Sequence, residues 1–225
     1  MFNVLFKRLI ILSLILNTLP VFSQTNLLGI AQGAEDQFEQ LLNKPAMVSP
    51  PTAVPLGRNW FTLKTDVHVF TDRISTSQVA AVMLDIENQG KYFNGRRSKL
   101  TTHIIGHTAD ETIVDNISIT VIGPFHIRTP FRSVVKTMIN TYALFALETR
   151  QTPEDSASNN KIKNFYAPRY VEEVSINGRK YTYIRMLTIQ DINASFLPGA
   201  KRSLERNATP VIDEVMQMLI NAEKK

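Results

Sequence analysis

Cysteine is absent from this chain of 225 residues, and the sequence holds only nine glycines and one tryptophan. The absence of cysteine excludes disulfide bonds, thiol catalysis and zinc sites built on thiolates. An exported or intracellular domain of this kind must be stabilised by its core alone, which a chain of this length allows. The hydrophobic content of 44% and the charged content of 20% are typical of a globular protein and not of a disordered one.

Motifs for common catalytic and nucleotide sites are also missing: there is no serine-centred elbow, phosphate-binding loop or dinucleotide fingerprint. His103 and His107 fall on a predicted strand, where four residues span roughly 13 Å, too far for one metal ion. A general acid or base must be positioned near its substrate, but Asp85 is predicted to end a helix and Asp191 to cap a turn. Asp115 is the third candidate acid. The sequence predicts no catalytic residue, no metal site and no cofactor, and it leaves enzymatic activity open while favouring a non-enzymatic protein.

A strong excess of one charge sign is missing as well. Residues 1–23 carry Lys7 and Arg8 and no acidic residue, so their removal lowers the formal net charge from +5 to +3. Such a weak excess predicts no nucleic-acid partner. Peripheral contact with an anionic membrane surface remains an alternative.

The first 23 residues predict a signal peptide. Lys7 and Arg8 precede the apolar run Leu9–Leu16, and small or moderate residues before Gln24 suit cleavage at that point. The run is short for a bilayer span. We therefore expect a periplasmic or secreted protein, with an uncleaved N-terminal anchor as the alternative. A lipid-modified cysteine at the cleavage site is excluded because the chain has no cysteine.

Residues 24–58 form an N-terminal extension whose composition differs from the rest. A short helix is predicted within residues 34–43, followed by a proline-rich, extended linker over residues 44–57. A tether or a packed extension is favoured over a binding motif. The main domain is predicted to cover residues 59–225.

The main domain is predicted to open with a strand over Phe61–Val69, where apolar and polar residues alternate. Asp72 or Ser75 is placed to cap the following helix, which Gln89-Gly90 and Asn94-Gly95 are predicted to end. Consecutive strands are predicted from residue 99 onward, with bends at Gly123-Pro124 and Thr129-Pro130 and a polar loop over residues 152–160. Asn177-Gly178 gives the strongest hairpin signal.

The chain closes with a predicted strand over Tyr181–Gln190, a turn-rich segment over Asp191–Gly199 and an amphipathic helix. Apolar residues of this helix recur at three- and four-residue steps and form one stripe. Its charged residues, Glu214 among them, are predicted to face away from that stripe. Pro210 is predicted to kink or restart the helix. A sheet closed over by its own last helix tends to enclose an apolar cavity.

This order of elements resembles the START-like, helix-grip superfamily, which includes lipid-transfer START domains, polyketide cyclases and aromatases. The matching stretches are Ser77–Asp85 with Tyr92–Gly95, Gly123–Arg128, and Asp191–Gly199 leading into the last helix. The resemblance implies an α+β fold, in which a curved antiparallel sheet wraps a long C-terminal helix around an apolar cavity. The only tryptophan, Trp60, lies far along the chain from that helix, so the resemblance implies no sterol or phospholipid specificity.

The predicted ligand is a hydrophobic small molecule or lipid held between the sheet and the last helix. Periodicity places Tyr183 and Arg185 on one face of a strand, but it does not decide whether they or Ile184 and Met186 face inward. His126 and Arg128 are expected on a surface strand, with a head-group site at the cavity mouth as the alternative. The residues predicted to contact ligand are Ile117, Ile119, Tyr183, Arg185, Leu204, Ala208, Val211 and Val215.

Three functional hypotheses follow from this fold. The first is an exported protein that binds a hydrophobic molecule, with transport of that molecule as an extension of the hypothesis. The second is a cyclase or aromatase, which requires polar groups inside the cavity. The third is an envelope interaction module with a filled core, which requires that no cavity is present and uses residues 24–58 to contact a partner.

Overall fold

The computed structural model describes residues 29–95, 97–122, 125–195, 197, 199–206, 208 and 210–225. The predicted signal peptide lies outside the described residues. So do Gly123-Pro124, where a bend is predicted, and Pro198 of the predicted turn.

Within the described residues, nine strands form one sheet in which every pairing is antiparallel. The sheet order is β1-β3-β9-β8-β7-β6-β5-β4, and β2 also pairs with β3. The strands are β1 (Ala46–Met47), β2 (Thr52–Gly57), β3 (Trp60–Thr71), β4 (Ser98–His107), β5 (Glu111–Ile122), β6 (Phe125–Asn140), β7 (Leu144–Gln151), β8 (Ile162–Ile176) and β9 (Arg179–Asn193).

The helices are short except for two. They are α1 (Phe38–Leu41), α2 (Thr76–Leu84), α3 (Gln89–Phe93), α4 (Pro153–Ser158), α5 (Ala200–Arg206) and α6 (Pro210–Ala222), with 3-10 turns at Glu35–Gln37 and Ile86–Asn88. None of the helices in the described part of the chain has the length and hydropathy needed to cross a membrane.

Local signals in the sequence fix several of these boundaries. Of the two predicted caps for α2, the structure uses Ser75, whose hydroxyl accepts a hydrogen bond from the Gln78 amide while the Gln78 side chain accepts one from the Ser75 amide. This reciprocal pair satisfies two amides that a helix start leaves free. The predicted hairpin at Asn177-Gly178 is confirmed, and both residues have the positive φ values that a tight hairpin turn requires.

Two predicted breaks are not breaks in the structure. Gly90 lies inside α3, where a Cβ would sit 2.1 Å from the Leu100 carbonyl oxygen, so its role is to let the helix approach β4. Pro130 lies inside β6. Its carbonyl accepts a hydrogen bond from the Asn159 side chain and not from a neighbouring strand. Since β7 pairs with β6 only from Ser133 onward, the missing N–H of Pro130 leaves no ladder bond unmade.

The predicted polar loop over residues 152–160 also contains a helix that the sequence analysis missed. Thr152 caps α4 by accepting a hydrogen bond from the Asp155 amide, and Pro153 is the first helical residue. Proline suits that position because the first amides of a helix have no partner within it.

The N-terminal extension is packed against the sheet, and its proline-rich part is extended as predicted but paired. β1 and β2 both pair with the outer edge of β3. Residues 30–48 cover the outer face of the sheet, where Ala34 and Leu41 pack with Phe70, Tyr170 and Tyr183 in a buried cluster. The central strands are therefore covered on both faces.

The inner face of the sheet surrounds the C-terminal helices. One buried cluster joins residues of α2 and α6 to residues of β3 and of β5 to β9, so the sheet curves around α6. The predicted last helix is divided into α5 and α6, and Pro210 begins the second of these. The architecture is the predicted α+β helix-grip arrangement, in which a curved antiparallel sheet surrounds the C-terminal helices.

Candidate functional site

A cavity of about 260 Å³ lies between the inner face of the sheet and the C-terminal helices. Its wall is built from seven strands, β3 to β9, on one side and from α5 and α6 on the other, and residues of α2 and α3 complete it. The wall residues include Leu63, Thr65, Asn116, Ser118, Ile127, Phe131, Leu147, Ile162, Ala167, Arg169, Met186, Thr188, Ile192, Leu197, Leu204, Ala208, Val211, Glu214 and Val215.

The cavity occupies one half of the interior, and packed side chains fill the other. On β3, Val67 and Val69 belong to the packed core, whereas Leu63 and Thr65 on the same face line the cavity. The other strands are divided in the same way between residues of the packed core and residues that line the cavity. The floor of the cavity runs across neighbouring strands through Leu147, Arg169 and Met186, which pair with one another in register.

The wall contains polar as well as apolar side chains. On β5 the residues that line the cavity are Asn116, Ser118 and Thr120, and Thr65 and Thr188 lie opposite each other on β3 and β9. The Thr65 hydroxyl is buried, and no hydrogen-bond partner for it exists among the described residues. A site that holds a molecule with both polar and apolar parts needs this mixture.

Arg169 lies on β8, at the floor of the cavity. Its Nη1 donates hydrogen bonds to the backbone carbonyls of Leu187 at 2.8 Å and Pro168 at 3.3 Å. Burial lowers its pKa to about 10, although Glu214 acts in the opposite direction. The half-buried guanidinium therefore remains charged at neutral pH. Its accessible surface faces the cavity, which it lines.

Glu214 faces the same cavity from α6. Burial raises the pKa of its carboxyl from 4.5 to about 7, while Ser98 and Arg169 lower it. The Ser98 hydroxyl lies near this carboxyl without forming a well-aligned hydrogen bond. No nitrogen of Arg169 lies within 4.0 Å of a Glu214 oxygen, since none of the ion pairs among the described residues joins them. The cavity thus contains a cation and a titratable acid that are not in contact.

Half of the residues predicted to contact ligand line this cavity: Leu204, Ala208, Val211 and Val215. Their contact with a ligand stays a prediction. Ile117 and Ile119 do not line it. They are partly exposed on the outer face of β5, since the polar residues of this strand turn inward.

Tyr183 and Arg185 also lie on the outer face, so Ile184 and Met186 face inward. Arg185 is 3% exposed and forms a bidentate ion pair with Asp66, at 3.0 Å and 2.8 Å. The Tyr183 hydroxyl accepts a hydrogen bond from the Ala31 amide and lies 2.8 Å from His68 Nδ1. This network fixes the N-terminal extension on the sheet.

The two charged groups in the cavity were missed by sequence reasoning, and a signal for each was present. Arg169 alternates with Ala167 and Val171 along β8, and both of these are buried. Glu214 was predicted to face away from the apolar stripe of the last helix, and this is corrected. It lies three residues after Val211 and directly before Val215, so it sits within that stripe.

The three candidate acids form structural contacts, whereas His126 and Arg128 line a second opening that adjoins the cavity at Ile127 and Ile192. Asp85 accepts hydrogen bonds from Tyr92 at 2.5 Å and from Asn88, and these, with Tyr92 the larger cause, lower its pKa. Asp115 pairs with Arg132 on the outer face, and Asp191 accepts hydrogen bonds from Thr62 and Asn164. The exposed strand residues His103, His107, His126 and Arg128 do not line this cavity, and the described residues contain no cluster suited to a metal ion.

The chain resembles several solved structures in fold. Human STARD10 matches with 8% sequence identity and a TM-score of 0.48, over 78% of this chain and 72% of that chain. A STAR-related lipid transfer protein from Xanthomonas axonopodis matches with 10% identity and a TM-score of 0.45, over 78% and 98% of the two chains. The Zhui aromatase/cyclase from a Streptomyces species matches with 10% identity and a TM-score of 0.45, over 73% and 93%.

At these identities, and with TM-scores below 0.5, the matches carry no argument about function. No known protein family's sequence profile matches the chain, and no curated protein matches it in sequence.

The raised pKa of Glu214 predicts a pH-dependent stability. Because the folded state holds this proton more tightly than the unfolded chain, the free energy of unfolding falls as pH rises from 4.5 to about 7. Glu214→Gln should remove that loss. The variant should match the wild type near pH 4 and exceed its stability at pH 8, by up to about 3 kcal/mol.

Urea unfolding at a series of pH values measures this difference. Asp213→Asn is the matched control, because Asp213 is the exposed neighbour of Glu214 on the same helix. Contributions from other titratable groups, including His68, are common to all three proteins and cancel in the comparison. Because Asp213 helps to raise the pKa of Glu214, Asp213→Asn should keep most, but not all, of the wild-type pH dependence. The same pH dependence in Glu214→Gln and wild type would contradict the assignment.

Proposed function

We propose that this protein binds a hydrophobic small molecule or single-chain lipid in the cavity between the sheet and the C-terminal helices, and that it releases this ligand to a partner or membrane. The observation that carries the proposal is the cavity of about 260 Å³ inside an otherwise packed domain. An apolar cavity of ~150 Å³ in an engineered protein holds a benzene molecule. This cavity accommodates a group somewhat less than twice that size, which favours one chain or a small ring system over a two-chain lipid.

Burial of the ligand's apolar surface supplies the affinity. Each Å² of apolar surface removed from water contributes about 25 cal/mol, so 200 Å² of contact would contribute roughly 5 kcal/mol before the cost of association. Leu204, Val211 and Val215 of the helices and Ile162 and Ile192 of the sheet provide apolar wall for that contact. The interaction-module hypothesis requires a filled core, and the cavity argues against it.

Catalysis is the second candidate, because the cavity contains polar groups. Glu214, with its pKa raised to about 7, faces the cavity opposite Arg169. A general acid or base works best when its pKa lies near the operating pH. The two candidates differ in outcome, because a binding protein returns its ligand unchanged and a cyclase does not.

Export is part of the proposal and is supported by residues 1–23, where Lys7 and Arg8 precede an apolar run. N-terminal sequencing of the protein from a cell that produces it naturally should then begin at Gln24, in the fraction outside the cytoplasm. A mature protein that begins at Met1 and stays with the cytoplasm would contradict export.

Binding is tested with the purified protein by organic extraction and mass spectrometry, and by uptake of a fluorescent fatty acid after delipidation. We expect a co-purifying hydrophobic compound or saturable uptake. Thr188→Phe should weaken uptake at least tenfold, because Thr188 faces the cavity from the central strand β9 and a phenyl ring there fills the space.

The matched control is Thr101→Phe, the same substitution at an exposed position of β4 outside the cavity wall. It should bind as the wild type does, and circular dichroism should show that both variants are folded. Absence of both a co-purifying compound and uptake would contradict the proposal. Equal loss of uptake in the two variants would show that the cavity is not the binding site.

A further inference from the structure

Among the described residues, Arg185 and Arg169 extend from opposite faces of the sheet, the first buried and the second half-buried, and their partners differ. Arg185 on the outer face has a carboxylate partner, Asp66, held by two hydrogen bonds at 3.0 Å and 2.8 Å. Arg169 on the inner face has no carboxylate oxygen within 4.0 Å among the described residues. A buried charge without a partner costs several kcal/mol, by the order-of-magnitude estimate for ions in proteins.

The surroundings of Arg169 do not replace that partner. Both hydrogen bonds of the guanidinium come from Nη1 and end on backbone carbonyls. The hydrogens of Nε and Nη2 have no acceptor among the described residues. On either side, Leu147 of β7 and Met186 of β9 are buried and apolar.

The wall of the cavity opposite Arg169 carries groups that can form hydrogen bonds with the polar part of a ligand. Glu214 faces the cavity without touching Arg169, and burial raises the pKa of its carboxyl to about 7. When protonated, it is a hydrogen-bond donor and adds no negative charge. Thr65 lines the same cavity, and its buried hydroxyl lacks a partner among the described residues.

We propose that Arg169 binds the carboxylate of an amphiphilic ligand, such as a medium-chain fatty acid, at the floor of the cavity. This deepens the proposed function and rests on it. The guanidinium fork matches a carboxylate in geometry and supplies the missing charge balance. The apolar chain of the ligand extends toward Ile162 and Ile192, which pair with each other at the far end of the wall.

The test compares decanoate with decan-1-ol, which has the same chain length and no charge, by isothermal titration calorimetry at pH 6, where Glu214 is mostly protonated and decanoate is ionised. Wild-type protein should bind decanoate at least tenfold more tightly than decanol. Arg169→Gln and Arg169→Met should lose at least tenfold in affinity for decanoate and keep the affinity for decanol within threefold. Arg150→Gln is the control, because Arg150 is exposed on β7 and pairs with Glu111 at the surface.

The outcomes separate the two proposals. Equal binding of both ligands by wild type, or equal loss of both in the Arg169 variants, overturns the carboxylate site and leaves ligand binding in place. Binding of neither ligand by folded wild type overturns both. If Arg169→Gln is unstable, Arg169→Met, which retains an unbranched apolar stem over the same floor, decides the result.

Discussion

The architecture depends on a mismatch in length between the sheet and the helix that it encloses. Strand β9 has 15 residues, an extended length of about 50 Å, whereas the 13 residues of α6 span about 20 Å. The helix fills one half of the concave face with Val215, Met218 and Leu219. Over the other half lies α5, which belongs to a separate small cluster through Leu204. The cavity is the space between the sheet and these two helices. It begins near Pro210, where α6 starts.

The two faces of the sheet differ in how charged side chains are compensated. On the outer face they are paired with each other. On the outer face Asp66, Arg185, His68 and Tyr183 form a connected network that reaches the backbone of the N-terminal extension at Ala31. Burial lowers the pKa of His68 to about 4, so this face keeps its histidine neutral above that pH. Removing one partner from such a network leaves a buried charge uncompensated and destabilises the folded state, so the network has a structural role.

On the inner face Arg169 and Glu214 both line the cavity, and no ion pair joins them. Arg169 and Glu214 each retain accessible surface that faces the cavity, and each has a pKa displaced by burial. Perturbed titratable groups in an enclosed pocket are characteristic of functional sites, although ion-pair networks produce them too. Here no ion pair joins the two residues, so a ligand is the better physical account of why this face tolerates the cost.

Element order was predictable from the sequence because turn and cap chemistry is local, as the hairpin at Asn177-Gly178 and the cap at Ser75 show. The orientation of strands was harder to predict, because alternation places residues on two faces without naming the inner one. On β5 the apolar Ile117 and Ile119 face outward, and on β9 residues 182–187 are buried on both faces. Only the docked N-terminal extension, a long-range contact, explains why Tyr183 is buried.

The most direct test of the account is a crystal structure of the full protein grown with decanoate. The account predicts electron density for one ligand inside the cavity, with its carboxylate oxygens within hydrogen-bond distance of Arg169 and its chain against Ile162 and Ile192. A cavity closed by rearranged side chains, or decanoate found only on the protein surface, would contradict it.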